Sequence, residues 1–575
     1  MDYLKEYDNW IKNVNEDAKK HLEKISKNND EIIESFSKHL EFGTAGIRGI
    51  IGYGPNRINI YVVGQTVQAL ANILNKSNKT SNVIIAFDSR NKSIEFAKHA
   101  AKVLAANGIK VYLFNEIQPV PVLSFGIRYL KTSFGIVITA SHNPSKYNGC
   151  KIYGSDGAQI GLEDADLIFE EIKKINIFEE IKNIDFENAK NQGLIEIVGE
   201  EIERAYLDAI KTQQINKTLT KKYGENIKIV YTPFHGSGNK LVRKILYETG
   251  FKNVMVVAEQ ELPDGNFPTV KCPNPEYLEN FELAIKLAKE KKTELVIGTD
   301  PDSDRIGVVI LNKNENYILL TGNQVGILLT EYILSQGKKN ECLPDNAFIA
   351  KTIVTTNMIK KIANFYNVKM YETLTGFKFI GELIKKSEKE QNEKFIFGFE
   401  ESYGYLAGTH SRDKDAIVAS MLISEMVLYY KNKNLNLIEQ LDKLYNKYGF
   451  YVENTISITL EGIHGLEKIE NIIKKLRKNY PENIGKKICV VRDYLFSTQF
   501  DLIKNKETKI NLPKSNVLYF ELENDCSFIV RPSGTEPKIK FYLLANGKTK
   551  KEANETIEIL KKFVKNIKEK ELENN

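Results

Sequence analysis

The stretch Phe134-Gly-Ile-Val-Ile-Thr-Ala-Ser-His-Asn-Pro144 decides how this chain is read. Its first six residues, Phe134–Thr139, are apolar and largely β-branched, the pattern of a buried strand. Asn143-Pro144 closes the segment, because the residue before a proline is pushed out of helical space. A Gly- and Asn-rich loop is expected to follow. Ser141 is thereby a hydroxyl at a strand tip, where α/β sheets carry their chemistry. Taken alone, the segment also reads as an ordinary serine turn.

Working outward, the same unit recurs: strand, helix, strand, then a further apolar strand ending in a polar loop. The first copy runs Val83–Phe87, a helix near Ile94–Asn107, Val111–Phe114 and the Ser141 strand. The second runs Ile227–Tyr231, a helix near Asn239–Thr249, Asn253–Val257 and Leu295–Gly298, ending at Thr299-Asp-Pro-Asp-Ser-Asp304. The third runs Ala347–Ala350, a helix near Asn357–Tyr366, Val368–Tyr371 and Lys394–Gly398, ending at Phe399-Glu-Glu-Ser-Tyr-Gly404. Strands alternating with helices predict α/β domains with mainly parallel, mixed sheets. From about Phe450 the pattern changes. Strand-like Tyr451–Thr459, Val517–Leu522, Ser527–Val530 and Ile539–Leu544, with helical Leu466–Arg477 and Lys551–Lys568, predict an α+β domain. The expected architecture is three related α/β domains plus a C-terminal α+β domain around a central cleft. Boundaries fall at 1–210, 211–325, 326–450 and 451–575, with the first forty residues a helical lead-in.

Composition narrows the class. The 575 residues are 42% hydrophobic and 27% charged, as in a soluble globular protein with ample core. The 81 basic and 75 acidic residues leave a net charge of only +6, without the basic footprint of a nucleic-acid binder. No apolar run reaches the ~20 residues of a membrane span, and the N-terminus lacks a signal core. Cys150, Cys272, Cys342, Cys489 and Cys526 are scattered, as expected of reduced thiols in a cytoplasmic protein.

The polar loops carry the chemistry. In Asp300-Pro-Asp-Ser-Asp304, carboxylates at alternate positions of an extended segment point one way and offer hard oxygen ligands for Mg²⁺. An EF-hand is excluded, since Arg305 replaces its turn glycine and Leu311 its terminal acid. Arg531-Pro-Ser-Gly-Thr535 joins a guanidinium fork to hydroxyl donors, which suits a phosphate, although a plain hairpin turn fits too. Glu400-Glu-Ser402 offers acceptors for sugar hydroxyls. His235-Gly-Ser-Gly238 is a structural or substrate-adjacent loop, not a dinucleotide fingerprint. Arg48 and Lys151 are candidate phosphate or proton-transfer groups, or simple surface cations. A nucleophile, a metal triad, hydroxyl-reading acids and a phosphate loop together satisfy what phosphoryl transfer requires.

Gly43-Thr-Ala-Gly-Ile-Arg-Gly49, Thr139–Pro144, Asp300–Arg305, Glu400–Ser402 and Arg531–Pro537, in this order, resemble the α-D-phosphohexomutase superfamily, specifically its long bacterial and eukaryotic phosphoglucomutases. Pro263–Pro268 and Pro273–Glu276 resemble the family's signature between loops. The resemblance implies that Ser141 is a phosphoserine and that Asp300, Asp302 and Asp304 hold Mg²⁺ against its phosphate. It implies catalytic roles for Arg48, His142 and Lys151 around the reacting phosphate, Lys151 as proton carrier, with Lys414 assisting. Glu400, Ser402, Arg305 and the specificity segment Thr375, Gly376 and Lys378 would bind the sugar. Arg531, Ser533, Gly534 and Thr535 would hold the non-reacting phosphate. The implied reaction converts glucose 1-phosphate to glucose 6-phosphate through glucose 1,6-bisphosphate, in a cytoplasmic monomer or dimer. The sequence departs from the family in lacking a Trp beside Lys378 and in placing Cys150 where a Tyr is frequent. Phosphomannomutase and phosphopentomutase activities therefore stay open, as do a metal-dependent phosphatase and a non-enzymatic sugar-phosphate sensor.

Overall fold

The computed structural model describes residues 2–43, 45–76, 81–460, 465–533 and 538–573. Two compact units emerge: 1–321 with 380–391 and 402–432, and 322–379 with 392–401 and 433–575.

In the first unit, helices Tyr3–Asn13, Glu16–Ile25 and Asn29–Phe36 are N-capped by the side chains of Asp2, Asn15 and Asn28. They anchor through Trp10, fully buried in edge-on contact with Phe36, Tyr61 and Phe178. The first sheet contains β1 (Gly46–Ile50), β2 (Asn82–Phe87), β3 (Lys110–Phe114), β4 (Phe134–Ile138), β5 (Tyr147–Gly154) and β6 (Ile195–Val198). Its order is β1-β5-β4-β2-β3-β6, parallel except where β5 runs against β1 and β4. The Gly- and Asn-rich stretch after Pro144, expected as loop, is therefore mostly strand β5. Gly149 makes this possible: a Cβ there would lie 2.6 Å from the Ile47 carbonyl oxygen and 2.7 Å from that of Thr139.

The second sheet contains β7 (Lys228–Thr232), β8 (Asn253–Val256), β9 (Leu295–Thr299), β10 (Ile306–Leu311) and β11 (Tyr317–Leu320), in the order β11-β10-β9-β7-β8. Strands β8, β7 and β9 are parallel, and β10 turns back against β9. The turns β4–β5 and β9–β10 occupy equivalent places, each where a parallel strand reverses into an antiparallel neighbour. Ser141 lies on the first and Asp300–Asp304 on the second.

In the second unit, β12 (Ala347–Thr352) is flanked in parallel by β13 (Lys369–Thr373) and β14 (Lys394–Glu400). β15 (Gly404–Ala407) belongs to the first unit. The C-terminal sheet is antiparallel. It contains β16 (Phe450–Thr459), β17 (Ile488–Asp493), β18 (Thr498–Asp501), β19 (Lys506–Lys509), β20 (Leu518–Leu522), β21 (Cys526–Pro532) and β22 (Lys538–Gly547). The order is β16-β22-β21-β20-β17-β18-β19. Strand alternation gives it two buried faces. Leu518, Phe520, Phe528, Val530, Phe541 and Leu543 share one apolar cluster with helices Gly465–Lys478 and Lys550–Glu573. Tyr519, Ile529, Tyr542 and Leu544 point the other way and pack with Ile353, Val354 and Leu374 around the third sheet. Three mixed α/β sheets and a C-terminal antiparallel sheet with helices are thus the architecture that the sequence periodicity predicts.

Candidate active site

Ser141 follows β4 with φ of +54°, in the left-handed region that non-glycine residues adopt uncommonly. Its N–H donates to Thr139 Oγ1 at 2.8 Å, and its hydroxyl donates to Asp300 Oδ2 at 3.0 Å. His142 Nδ1 lies 3.2 Å from the same hydroxyl. Burial, then the cations of Arg305, Arg48, Lys151 and Arg90, hold His142 well below the usual imidazole range, so the ring is neutral near pH 7.

The restraint on this loop is Arg90, which sequence reading did not single out. Its guanidinium, fully buried, donates to the carbonyls of Ser141 at 2.6 Å, Asn143 at 2.5 Å, Pro144 at 3.0 Å and Tyr147 at 3.1 Å. Its Nε lies 3.4 Å from Asp88 Oδ2, and the Phe267 ring covers it at 5.0 Å. Asp88 also accepts from Thr139 Oγ1 at 2.7 Å. Burial raises the Asp88 carboxyl, and Arg90 opposes that rise.

Asp300, Asp302 and Asp304 are all buried, with one oxygen of each within 4.8 Å of the others. The segment is not extended, as alternation in the sequence had suggested. It is a tight turn in which Ser303 takes φ of +52°, Ser303 N donates to the Asp300 carbonyl at 2.9 Å and Arg305 N donates to Asp300 Oδ1 at 3.0 Å. The carboxylates converge because the turn folds them inward. Lys151 Nζ stands 3.2 Å from Asp302 Oδ2, and Lys414 Nζ 3.0 Å from Asp304 Oδ2. Burial and its two neighbouring carboxylates push Asp300 well above the usual range. Against burial, Lys151 and Lys414 hold Asp302 below it. Among the described residues, Asp302 Oδ1 and Asp304 Oδ1 are buried without a hydrogen-bond partner. Three hard oxygen donors, two of them orphaned, fit a divalent cation such as Mg²⁺.

The His235–Gly238 loop buttresses this turn. His235 is buried, with its ring nitrogens 3.1 Å from the Leu262 carbonyl and 3.0 Å from Thr269 Oγ1. Ser237 donates to the Pro301 carbonyl through both its N–H and its hydroxyl, each at 2.8 Å. These contacts give the loop a structural role.

Arg48 is the one exposed residue of β1, with Nη1 3.4 Å from Asn143 Oδ1. Arg305 pairs with Glu276 at 3.0 Å. Lys414 is also 3.1 Å from Asp413 Oδ1, and the other oxygen of Asp413 accepts from Tyr153 and Gln159, both at 2.8 Å. Ser402 is half-buried in the first unit. The first unit therefore gathers Ser141, His142, Lys151, Lys414 and the carboxylate triad.

The second unit gathers the others. Glu400, at the end of β14, accepts from Gly376 N at 2.9 Å, which ties the acid to the Thr375–Lys378 segment. Lys378 is buried with Nζ 5.1 Å from the Phe379 ring centre. Burial raises the Tyr542 phenol, Glu401 and Glu400 add to that rise and Arg531 opposes it, which places all three charged groups around this tyrosine. Ser533 N donates to the Lys538 carbonyl at 2.7 Å. Gly534 and Thr535 lie outside the described residues.

A serine hydroxyl against a carboxylate triad flanked by lysines is the constellation of a metal-assisted phosphoryl-transfer enzyme. Comparison with known proteins agrees. The chain matches phosphoglucomutase/phosphomannomutase alpha/beta/alpha domain I over residues 39–177, domain II over 204–313 and domain III over 321–448. It is 38% identical to the phosphoglucomutase of Staphylococcus haemolyticus over 89% of this chain and 91% of the relative. It is likewise 38% identical to the phosphoglucomutase of Staphylococcus epidermidis over 93% of this chain and 96% of the relative. A solved structure of a putative phosphomannomutase from Thermus thermophilus shares the fold, with a TM-score of 0.67 at 21% identity, covering 92% of this chain and 99% of that one. The chain belongs to the phosphoglucomutase/phosphomannomutase family and is an enzyme of the isomerase class. No described helix is long and apolar enough to cross a membrane.

Proposed function

We propose that this enzyme interconverts glucose 1-phosphate and glucose 6-phosphate through a phosphoserine at Ser141. The observation that carries the reading is the Ser141 hydroxyl 3.0 Å from Asp300, inside a buried triad that Lys151 and Lys414 flank. The phosphoryl group of Ser141 passes to O6 of glucose 1-phosphate and gives glucose 1,6-bisphosphate. The bisphosphate turns over and returns its other phosphoryl group, from O1, to Ser141, and glucose 6-phosphate leaves. A Mg²⁺ ion held by Asp300, Asp302, Asp304 and the Ser141 phosphate would neutralise charge on the transferring group.

The chain's own residues do the positioning. Arg48 and His142 flank the reacting phosphate. Lys151 carries the proton released by the sugar hydroxyl and taken up by the departing serine oxygen. Lys414 completes the cationic surround, and Arg305 binds the sugar. Glu400, Ser402 and the Thr375, Gly376 and Lys378 segment read the sugar hydroxyls. Arg531, Ser533, Gly534 and Thr535 hold the non-reacting phosphate. The lack of a Trp beside Lys378 keeps mannose and pentose phosphates as rival substrates, separable by kcat/KM on the three sugar 1-phosphates. Five unpaired cysteines are consistent with a cytoplasmic location.

Intact mass measurement with peptide mapping, after incubation with Mg²⁺ and glucose 1,6-bisphosphate, tests the reading. Phosphate is expected on Ser141 and on no other residue. An unmodified Ser141, or steady release of inorganic phosphate instead of isomerised sugar, would overturn it.

A further inference from the structure

Away from the carboxylate triad, the first unit contains a pocket of about 360 Å³ whose walls include Arg128, Lys131, Lys385 and Arg412 against only two carboxylates, Asp156 and Glu388. Arg128 comes from the last turn of helix Val120–Tyr129, and Arg412 from the loop after β15. Both guanidiniums donate to one carbonyl, that of Thr409. Two like charges brought to one acceptor repel unless an anion lies between them. Glu388 serves both in part, 2.5 Å from Arg412 Nη2 and 3.9 Å from Arg128 Nη2, yet its side chain is 44% exposed. Lys385 and Asp156 pair with each other at 2.8 Å, which leaves the excess positive charge on the arginines and Lys131.

The pocket also has unmet donors deep in its wall. Arg412 is 2% exposed and Thr132 1% exposed. Among the described residues, Arg412 Nε and Thr132 Oγ1 are buried without a hydrogen-bond partner. Burial, with Arg128 alongside, lowers Arg412 to about 10. Paired guanidinium forks, a lysine and a buried hydroxyl form a donor set for a tetrahedral oxyanion.

We propose that this pocket is a second anion site that takes a phosphate dianion, free or as a monoester, with Glu388 swinging out to admit it. Its position gives it a route to the reaction centre. Arg412 leads through Asp413, which is clamped by Tyr153 and Gln159, directly to Lys414.

The test titrates the full chain with inorganic phosphate and follows thermal stabilisation. An Arg531→Gln background weakens the substrate-phosphate loop. The expected result is a saturable stabilisation that persists in that background. Its midpoint should rise at least ten-fold on adding Arg128→Gln and several-fold on adding Lys131→Glu. Lys131 is exposed, so the second variant gives a readout if the first folds poorly. Glycerol 2-phosphate binding more tightly than inorganic phosphate would identify a monoester as the ligand, and equal midpoints would identify the free ion. A midpoint unmoved by Lys131→Glu, or a response abolished by Arg531→Gln alone, would overturn the proposal. Neither result bears on whether Ser141 carries phosphate, so the two readings fail separately.

Discussion

Arg90 gives the residue-scale account of how Ser141 is held in a left-handed conformation. One guanidinium ties carbonyls on both sides of Pro144, and each partner lies 51 to 57 residues away in sequence. Lysine at this position keeps a positive charge near Asp88 but cannot present a planar fork to four acceptors. Arg90→Lys is therefore expected to lower kcat by about 10- to 100-fold, as loss of geometry at a reacting group does. Steady-state kinetics beside a thermal melt check this. A drop in Tm of many degrees with kcat preserved in the folded fraction would show that Arg90 supports the fold alone. Ser141, Lys151 and the triad were legible in the sequence because each sits in a local motif. Arg90 was not, since a single arginine after a strand announces nothing until the chain brings a second loop beneath it.

At the scale of elements, the two equivalent strand reversals do different work, and the second depends on a neighbour. The β9–β10 turn must fold three carboxylates inward, against mutual repulsion on the order of kcal/mol. The His235 loop braces it, and the approach is close. A Cβ on Gly236 would lie 2.5 Å from Pro301 Cα, which is backbone and cannot rotate away. Gly236→Ala should push the turn and spread Asp300, Asp302 and Asp304. The expected outcome is a Mg²⁺ requirement raised about ten-fold or more, together with a lowered melt, by analogy with loss of a partner that orients metal ligands. Mg²⁺ titration of activity measures it, and an unaltered requirement would mean that the loop does not position the triad. The sequence located this turn but misjudged its shape. Alternating acids suggest an extended strand, whereas Ser303 in the left-handed region makes the convergence. Strand β19, which pairs with β18, was missed for the opposite reason, since Lys506–Lys509 is exposed at all four positions and carries no apolar alternation.

At the scale of the whole molecule, repetition was the legible part: the strands and helices of the three repeated units fall where the periodicity puts them. Less legible was how strongly the C-terminal sheet joins the third α/β sheet within the second unit. Tyr519 and Tyr542 read as ordinary strand residues, but they face Ile353 and Leu374. Beneath that apolar contact lies a charge cluster. Lys351, fully buried, reaches Glu372 at 2.9 Å, and Arg492 of β17 reaches the same acid at 3.3 Å. Burial lowers Lys351 to about 8, so its titration lies above neutrality. Glu453 of β16 titrates lower than Lys351. Burial raises it from 4.5 to about 7, and its Oε1 has no hydrogen-bond partner among the described residues. A carboxyl whose folded pKa is raised binds its proton more tightly in the native state. Its contribution to stability is therefore complete below pH 4.5 and is lost as the pH rises through about 7. Glutamine resembles the protonated acid at every pH. Glu453→Gln should flatten the pH dependence of the urea midpoint across that window and leave the protein more stable at pH 8, by on the order of 2 kcal/mol. Equal slopes for the two proteins from pH 4.5 to 7 would show that this carboxyl is ionised in the folded state throughout, and that the junction between the sheets tolerates its charge.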